Sequence, residues 1–153
     1  MTKKALIIGI SGQDGSYLSE YLLSLGYEVH GILRRNSVAE NQDNRISHLD
    51  VTCHYGDLLD VPSLTRVISS VKPDEIYNLG AQSHVRISFD VPSFTIQTNA
   101  LGVLNLLEIC RAILPDVKFY QASSSEMFGN SIDEDGYQRK TTPMNPTSPY
   151  GCA

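Results

Sequence analysis

The stretch Ala5-Leu-Ile-Ile-Gly-Ile-Ser-Gly-Gln-Asp-Gly-Ser-Tyr-Leu18 decides the fold. Its first half, Ala5 to Ile10, has the length and β-branched content of a buried strand. Ser16 to Leu25 reads as a helix that Gly26 stops. Between them stand Gly9, Gly12 and Gly15. Residues without Cβ at that spacing allow a tight turn and let backbone N–H groups close on a pyrophosphate at the positive end of the helix dipole. Glycine turns also simply join strands to helices. Here strand, turn, helix and position at the start of the chain coincide, which favours a dinucleotide site built from Gly9, Ser11, Gly12, Gln13, Asp14 and Gly15.

Working outward, Glu28 to Leu33, Val51 to Tyr55, Glu75 to Leu79 and Val117 to Ala122 read as further buried strands. Ser63 to Val71, stopped by Pro73, and Ser93 to Leu114 read as helices. The longer one carries Ala100, Val103, Leu104, Leu107, Cys110 and Leu114 at the spacing of one buried face. Strands alternating with helices imply right-handed crossovers and an α/β fold, a doubly wound parallel sheet covered on both faces. One dinucleotide-binding domain is expected over residues 1–153. Gly129 to Pro149, polar and without periodicity, reads as a long loop of the functional or mobile kind leading to Tyr150.

Composition narrows the function. The chain has 153 residues, 12 Lys+Arg against 17 Asp+Glu and a formal net charge of -5. A chain of this size buries roughly 68–70% of its unfolded surface, so it needs no disulfide or metal staple. With no basic run, neither nucleic acid nor an anionic membrane is an expected partner. The opening apolar run is too short for a signal peptide or a membrane-spanning helix. Cys53, Cys110 and Cys152 are odd in number and widely spaced, which suits a reducing compartment, and they are expected to be small buried hydrophobes. The expected location is therefore cytoplasmic. His30, His48, His54 and His84 form no metal-spaced set, so no metal site is expected.

Four further places carry candidate chemistry. After the second strand the chain has Arg34 and Arg35 and no carboxylate. A carboxylate would bind a free ribose 2′-hydroxyl, whereas guanidinium forks suit a 2′-phosphate, so NADP is favoured over NAD unless the pair is merely solvated. Asp57 and Leu58 follow the third strand, where they can meet the adenine, although Asp57 could equally cap its own turn. At the carboxyl end of the fifth strand, the ligand edge of open α/β sheets, Gln121-Ala-Ser-Ser-Ser-Glu-Met-Phe-Gly129 gathers three hydroxyls and a carboxylate. A serine turn capping itself is the plain alternative. Tyr150 follows Ser148 and Pro149.

Taken with Asn78-Leu-Gly-Ala-Gln-Ser-His-Val85, the Ser88-Phe89 pair and Ser148-Pro-Tyr-Gly151, these segments resemble the extended short-chain dehydrogenase/reductases. Within them the chain is most similar to the GDP-mannose 4,6-dehydratase family. The Gly-Gln-Asp-Gly form of the turn and the double arginine set it apart from dTDP-glucose dehydratases and UDP-galactose epimerases. The resemblance implies a catalytic set of Ser124, Glu126 and Tyr150. Tyr150 takes the proton of the sugar 4-hydroxyl, Ser124 hydrogen-bonds the same oxygen, and Glu126 removes the C5 proton so that the 6-hydroxyl leaves as water. It also implies that Leu79, Gly80, Ala81, Gln82 and Ser83 line the nicotinamide end of NADP and that a GDP-linked sugar is the substrate. It implies a homo-oligomer, dimer or tetramer, in which Asn36 to Ser47 reaches a neighbouring subunit's cofactor.

Three departures accompany the resemblance. The family's Tyr-x-x-x-Lys would put its lysine at position 154, one past Ala153. Ser124 stands where Thr is usual, and Asn130 to Pro146 is slightly long. The family's carboxyl-terminal nucleotide-sugar domain is not in the sequence either, so a fragment of an enzyme, itself inactive, is expected. Two alternatives stay open: an NADP-dependent reductase or epimerase of another nucleotide sugar, and a non-catalytic NADP-binding module.

Overall fold

The structure, a computed structural model, describes residues 2–35 and 44–153. It forms two compact units, residues 1–80 with 103–122 and residues 81–102 with 123–153.

The first unit holds a parallel sheet of five strands: β1 (Lys4–Ile8), β2 (Glu28–Leu33), β3 (Thr52–Tyr55), β4 (Glu75–Asn78) and β5 (Lys118–Gln121), in the order β3-β2-β1-β4-β5. Its helices are α1 (Gln13–Ser24), α2 (Val61–Val71) and, from its second residue onward, α5 (Gly102–Ile113). Strand side chains alternate between faces, and β1 shows it directly. Leu6 and Ile8 join Leu64, Val67 and Ile68 of α2 and Leu106, Ile109 and Cys110 of α5 in one buried cluster. Ala5 and Ile7 join Leu22 of α1, Val29, Leu33 and Ile46 in another. Both faces are therefore covered, as the alternation of strands and helices predicts. The order reverses between β1 and β4, which opens the ligand crevice of such sheets at the carboxyl ends of those strands.

The second unit contains α3 (Val85–Ser88), α4 (Pro92–Ile96), a π turn (Gln97–Leu101), a 3-10 turn (Ser125–Phe128) and α6 (Pro149–Cys152). Residues 93–114, expected as one helix, are thus α4, the π turn and α5. Cys110 is buried as expected, but Leu104 and Leu107 are exposed and Leu106 and Ile109 take their place in the core. The π turn inserts one residue relative to an uninterrupted α-helix and so shifts the buried face beyond it. Residues 129–148 contain neither helix nor strand, yet they are cross-tied. Arg139 pairs with Asp133 at 2.9 Å and Asp135 at 2.6 Å, Thr142 donates to Asp133 at 2.8 Å, and Asn145 N–H donates to Met127 O at 3.0 Å.

Two cysteines depart from expectation, Cys53 and Cys152 being exposed. Cys53 lies on the edge strand β3 and Cys152 in the short helix α6. Of the stretch Asn36 to Ser47, residues 36–43 lie outside the described residues; in the remainder Ile46 is buried. Among the described residues no group of His, Cys, Asp and Glu could hold a metal ion, and no helix is long and apolar enough to cross a membrane.

Candidate functional site

In the first unit β1 ends in the glycine turn. Gly9 has φ +82°, which favours glycine, and a Cβ there would lie 3.0 Å from Gly80 N at the end of β4. Gly12 N–H donates to Gly9 O at 3.0 Å and closes the turn. At Gly15 a Cβ would come within 2.7 Å of Ile10 O, so α1 can start this close to the strand only with glycine in that place. No side chain caps α1, whose first N–H groups are left for an incoming anion. Cβ-free approaches and uncapped donors fit a pyrophosphate.

Arg34 and Arg35 are exposed just beyond β2. A third guanidinium, Arg45, donates from Nη1 to Ser11 O at 3.4 Å. Its sequence position gives no sign of this, because it is brought to the turn across a 34-residue separation. Asp57 Oδ1 accepts from Leu59 N–H at 2.9 Å, so this carboxylate does cap its own turn. Leu58 is buried and its carbonyl accepts from Asn105 Nδ2 at 3.2 Å. Leu79 N–H donates to Ile8 O at 3.0 Å and Gly80 N–H to Asn78 Oδ1 at 3.3 Å. Fully buried Asn78 also donates to Gln121 Oε1 at 2.8 Å, linking the ends of β4 and β5. The strand-end segments are thus held by the side chains of Asn78, which opens the quoted Asn78–Val85 segment, and of Asn105, which no motif announced.

In the second unit Ser124 caps the 3-10 turn, its Oγ accepting from Glu126 N–H at 3.2 Å. The self-capping alternative is therefore real for Ser124, but it engages only the oxygen's lone pair and leaves the hydroxyl proton to donate elsewhere. Ser123 sits at φ +59°, a left-handed conformation unusual for a residue with a side chain. Glu126 and Tyr150 are half-buried. Gly151 packs against the turn so closely that a Cβ would lie 2.6 Å from Glu126 O. The segment bearing Tyr150 therefore lies against the segment bearing Ser124 and Glu126. Ala81 and Ser83 are exposed, while Gln82 is clamped by Asn99, which accepts from Gln82 N–H at 2.8 Å and donates to Gln82 O at 3.0 Å.

A parallel sheet in this order, with an uncapped glycine turn at its switch point, defines a Rossmann-like dinucleotide-binding fold. Comparison with known proteins identifies the lineage. Residues 6–153 match the family described as GDP-mannose 4,6 dehydratase. Over 162 residues the chain is 50% identical to GDP-mannose 4,6-dehydratase of Vibrio cholerae, covering 100% of this chain and 43% of the relative. It is 50% identical over 161 residues to GDP-mannose 4,6 dehydratase of Homo sapiens, covering 97% of this chain and 42% of that one. Among solved structures, UDP-glucose 4-epimerase of Thermus thermophilus in complex with NAD superposes with a TM-score of 0.84 at 29% identity, over 97% of this chain and 46% of that one. The chain belongs to the GDP-mannose 4,6 dehydratase family. It spans less than half the length of these curated relatives.

Proposed function

We propose that the protein dehydrates GDP-mannose to GDP-4-keto-6-deoxymannose with NADP, and that Tyr150, Ser124 and Glu126 carry the chemistry. The observation that supports this reading is the close packing of Gly151 on the Glu126 backbone, which lays the segment bearing the tyrosine against the segment bearing a hydroxyl and a carboxylate in a chain of this family. Gly9 to Gly15 would hold the pyrophosphate, Arg34 and Arg35 the 2′-phosphate, Asp57 and Leu58 the adenine, and Leu79 to Ser83 the nicotinamide end. When bound, the nicotinamide supplies hydride acceptance from C4 and hydride return to C6.

Tyr150 takes the proton of the 4-hydroxyl as the C4 carbonyl forms, and the Ser124 hydroxyl proton hydrogen-bonds the same oxygen. The new carbonyl acidifies C5–H. Glu126 then takes the C5 proton and returns a proton to the 6-hydroxyl, which leaves as water. A free tyrosine has a pKa of about 10, so a base near neutral pH needs a neighbouring cation, the part that the family's lysine plays. The epimerase alternative has no elimination and no use for Glu126. The same reading makes the protein a cytoplasmic homo-oligomer, and the exposed Leu104 and Leu107 on α5 are consistent with self-association.

The test is GDP-mannose turnover by the protein expressed from its complete reading frame. Loss of water with a 6-deoxy product is expected. The Glu126→Gln variant should show an NADPH absorbance transient with no 6-deoxy product, because a carboxamide cannot accept the C5 proton. Normal dehydration by Glu126→Gln would overturn the assignment.

A further inference from the structure

The segment that carries Tyr150 is anchored by a residue outside the proposed chemistry. α6 starts with Ser148 as its cap and Pro149, which brings no N–H, as its first residue. Gly151 N–H is taken by Ser148 Oγ at 2.9 Å. Tyr150 N–H donates instead to Ser88 Oγ, 3.2 Å away and 62 residues earlier in the chain. Ser88 is completely buried; it donates its own proton to Val85 O at 2.6 Å and accepts from Tyr150 N–H on a lone pair.

The helix bearing Ser88 is itself pinned. His84 Nδ1 accepts from Ile87 N–H at 3.3 Å, and His84 N–H donates to Gln82 Oε1 at 2.6 Å. Gln82 is the residue that Asn99 clamps through its backbone. A continuous line of hydrogen bonds therefore runs within the second unit from Asn99 through Gln82, His84 and α3 to the backbone of Tyr150.

We propose that Ser88 is a positioning residue for Tyr150, its buried hydroxyl fixing the tyrosine's backbone relative to the Gln82–His84 segment. This rests on the reading of Tyr150 as the proton acceptor from the sugar 4-hydroxyl. A tyrosine released at its backbone is a reactant held less well, and loss of alignment at a reacting centre costs up to about a hundredfold in rate without a matching loss of binding.

The test compares Ser88→Ala with the unsubstituted protein from the complete reading frame. By NMR hydrogen exchange the Tyr150 amide should exchange about tenfold faster while the Gly151 amide, held by Ser148, keeps its rate. The kcat for GDP-mannose should fall about tenfold or more, with KM and NADP affinity unchanged. An unchanged Tyr150 amide overturns the proposal. So does equal acceleration of both amides, since the bond would then serve the segment's folding and not the tyrosine. A raised KM at constant kcat overturns it too. If the unsubstituted protein does not dehydrate GDP-mannose, the dehydratase reading fails, and the exchange rates still decide whether Ser88 holds Tyr150.

Discussion

At Gly15 one missing carbon separates fold from function. A Cβ there would meet Ile10 O at 2.7 Å and Ile10 Cα at 2.8 Å, both backbone, so neither can swing aside. Gly15→Ala should therefore destabilise the protein by about 1–3 kcal/mol and abolish dinucleotide binding. At Gly12 a Cβ would meet only Gly9 O at 3.1 Å. Gly12→Ala should leave the melting temperature within a few degrees and weaken binding alone; thermal melts and dinucleotide titrations of both variants check the contrast. Arg35→Ala should cost NADP about 1.5–3 kcal/mol of affinity, the size of a hydrogen bond to a charged group, and leave NAD unchanged. Equal losses for the two dinucleotides would remove Arg35 from the 2′-phosphate. The glycines are legible in sequence because their placement follows from local backbone geometry, and the double arginine is picked out only by its position after a strand. Arg45, Asn99 and Asn105 were not legible. Each acts on a backbone group far away in the chain, and a side chain that hydrogen-bonds a distant carbonyl or N–H leaves no periodic or spacing signal.

Elements were legible where one apolar face is distinct. The strands expected from the sequence agree with the structure to within a residue or two, and the expected carboxyl ends of α1 and α2 to a residue. In α5 the apolar residues Val103, Leu104, Leu106, Leu107, Ile109, Cys110 and Ile113 surround much of the helix. Hydrophobicity alone therefore offers two candidate faces, and the π turn before them removes the phase that would choose between them. The sequence does not predict the short α3 and α6 or the 3-10 turn, because a single turn has no period to detect. α2 also ends in an unusual way. Lys72 adopts φ 51° and ψ 60° as its C-cap, a left-handed conformation that glycine takes without cost, and its N–H closes on Ile68 O at 2.9 Å. Lys72→Gly should raise stability by about 0.5 kcal/mol, the relieved strain exceeding the added entropy of the unfolded chain. Urea denaturation gives the sign; a destabilised variant would mean that the lysine side chain itself supports the helix end.

Below neutral pH, at the scale of the whole molecule, His54 and the displaced carboxylates share one direction of pH dependence. Burial, then the adjacent His30 ring, holds His54 below its ordinary value of 6.5. The two rings meet at 3.1 Å between His30 Nδ1 and His54 Nε2, and His30 Nε2 lies 2.8 Å from Glu28, which also pairs with Lys4 at 3.1 Å. Hydrogen bonding to His30 and Lys4 in turn holds Glu28 below 4.5. Burial works against ionisation of Glu75, but the Tyr77 hydroxyl at 2.8 Å, Lys3 and Tyr27 outweigh it and keep its value low. Tyr77 itself is pushed up to about 12, by burial first and then by Glu75. With decreasing pH the unfolded chain binds the proton of His54 before the folded one does, so stability is fully present above 6.5 and falls as pH drops below it. The carboxylates act in the same sense lower down, their contribution being complete above 4.5 and lost below it. Because His54 is only partly buried, its share is small. Urea denaturation between about pH 8 and pH 4 should therefore show a shallow decline through the histidine range and a steeper one in the carboxylate range. His54→Gln should flatten the first decline and leave the second. Stability that rose on acidification from neutrality would mean that His54 binds its proton more tightly in the folded protein, the reverse of what burial beside a second ring imposes.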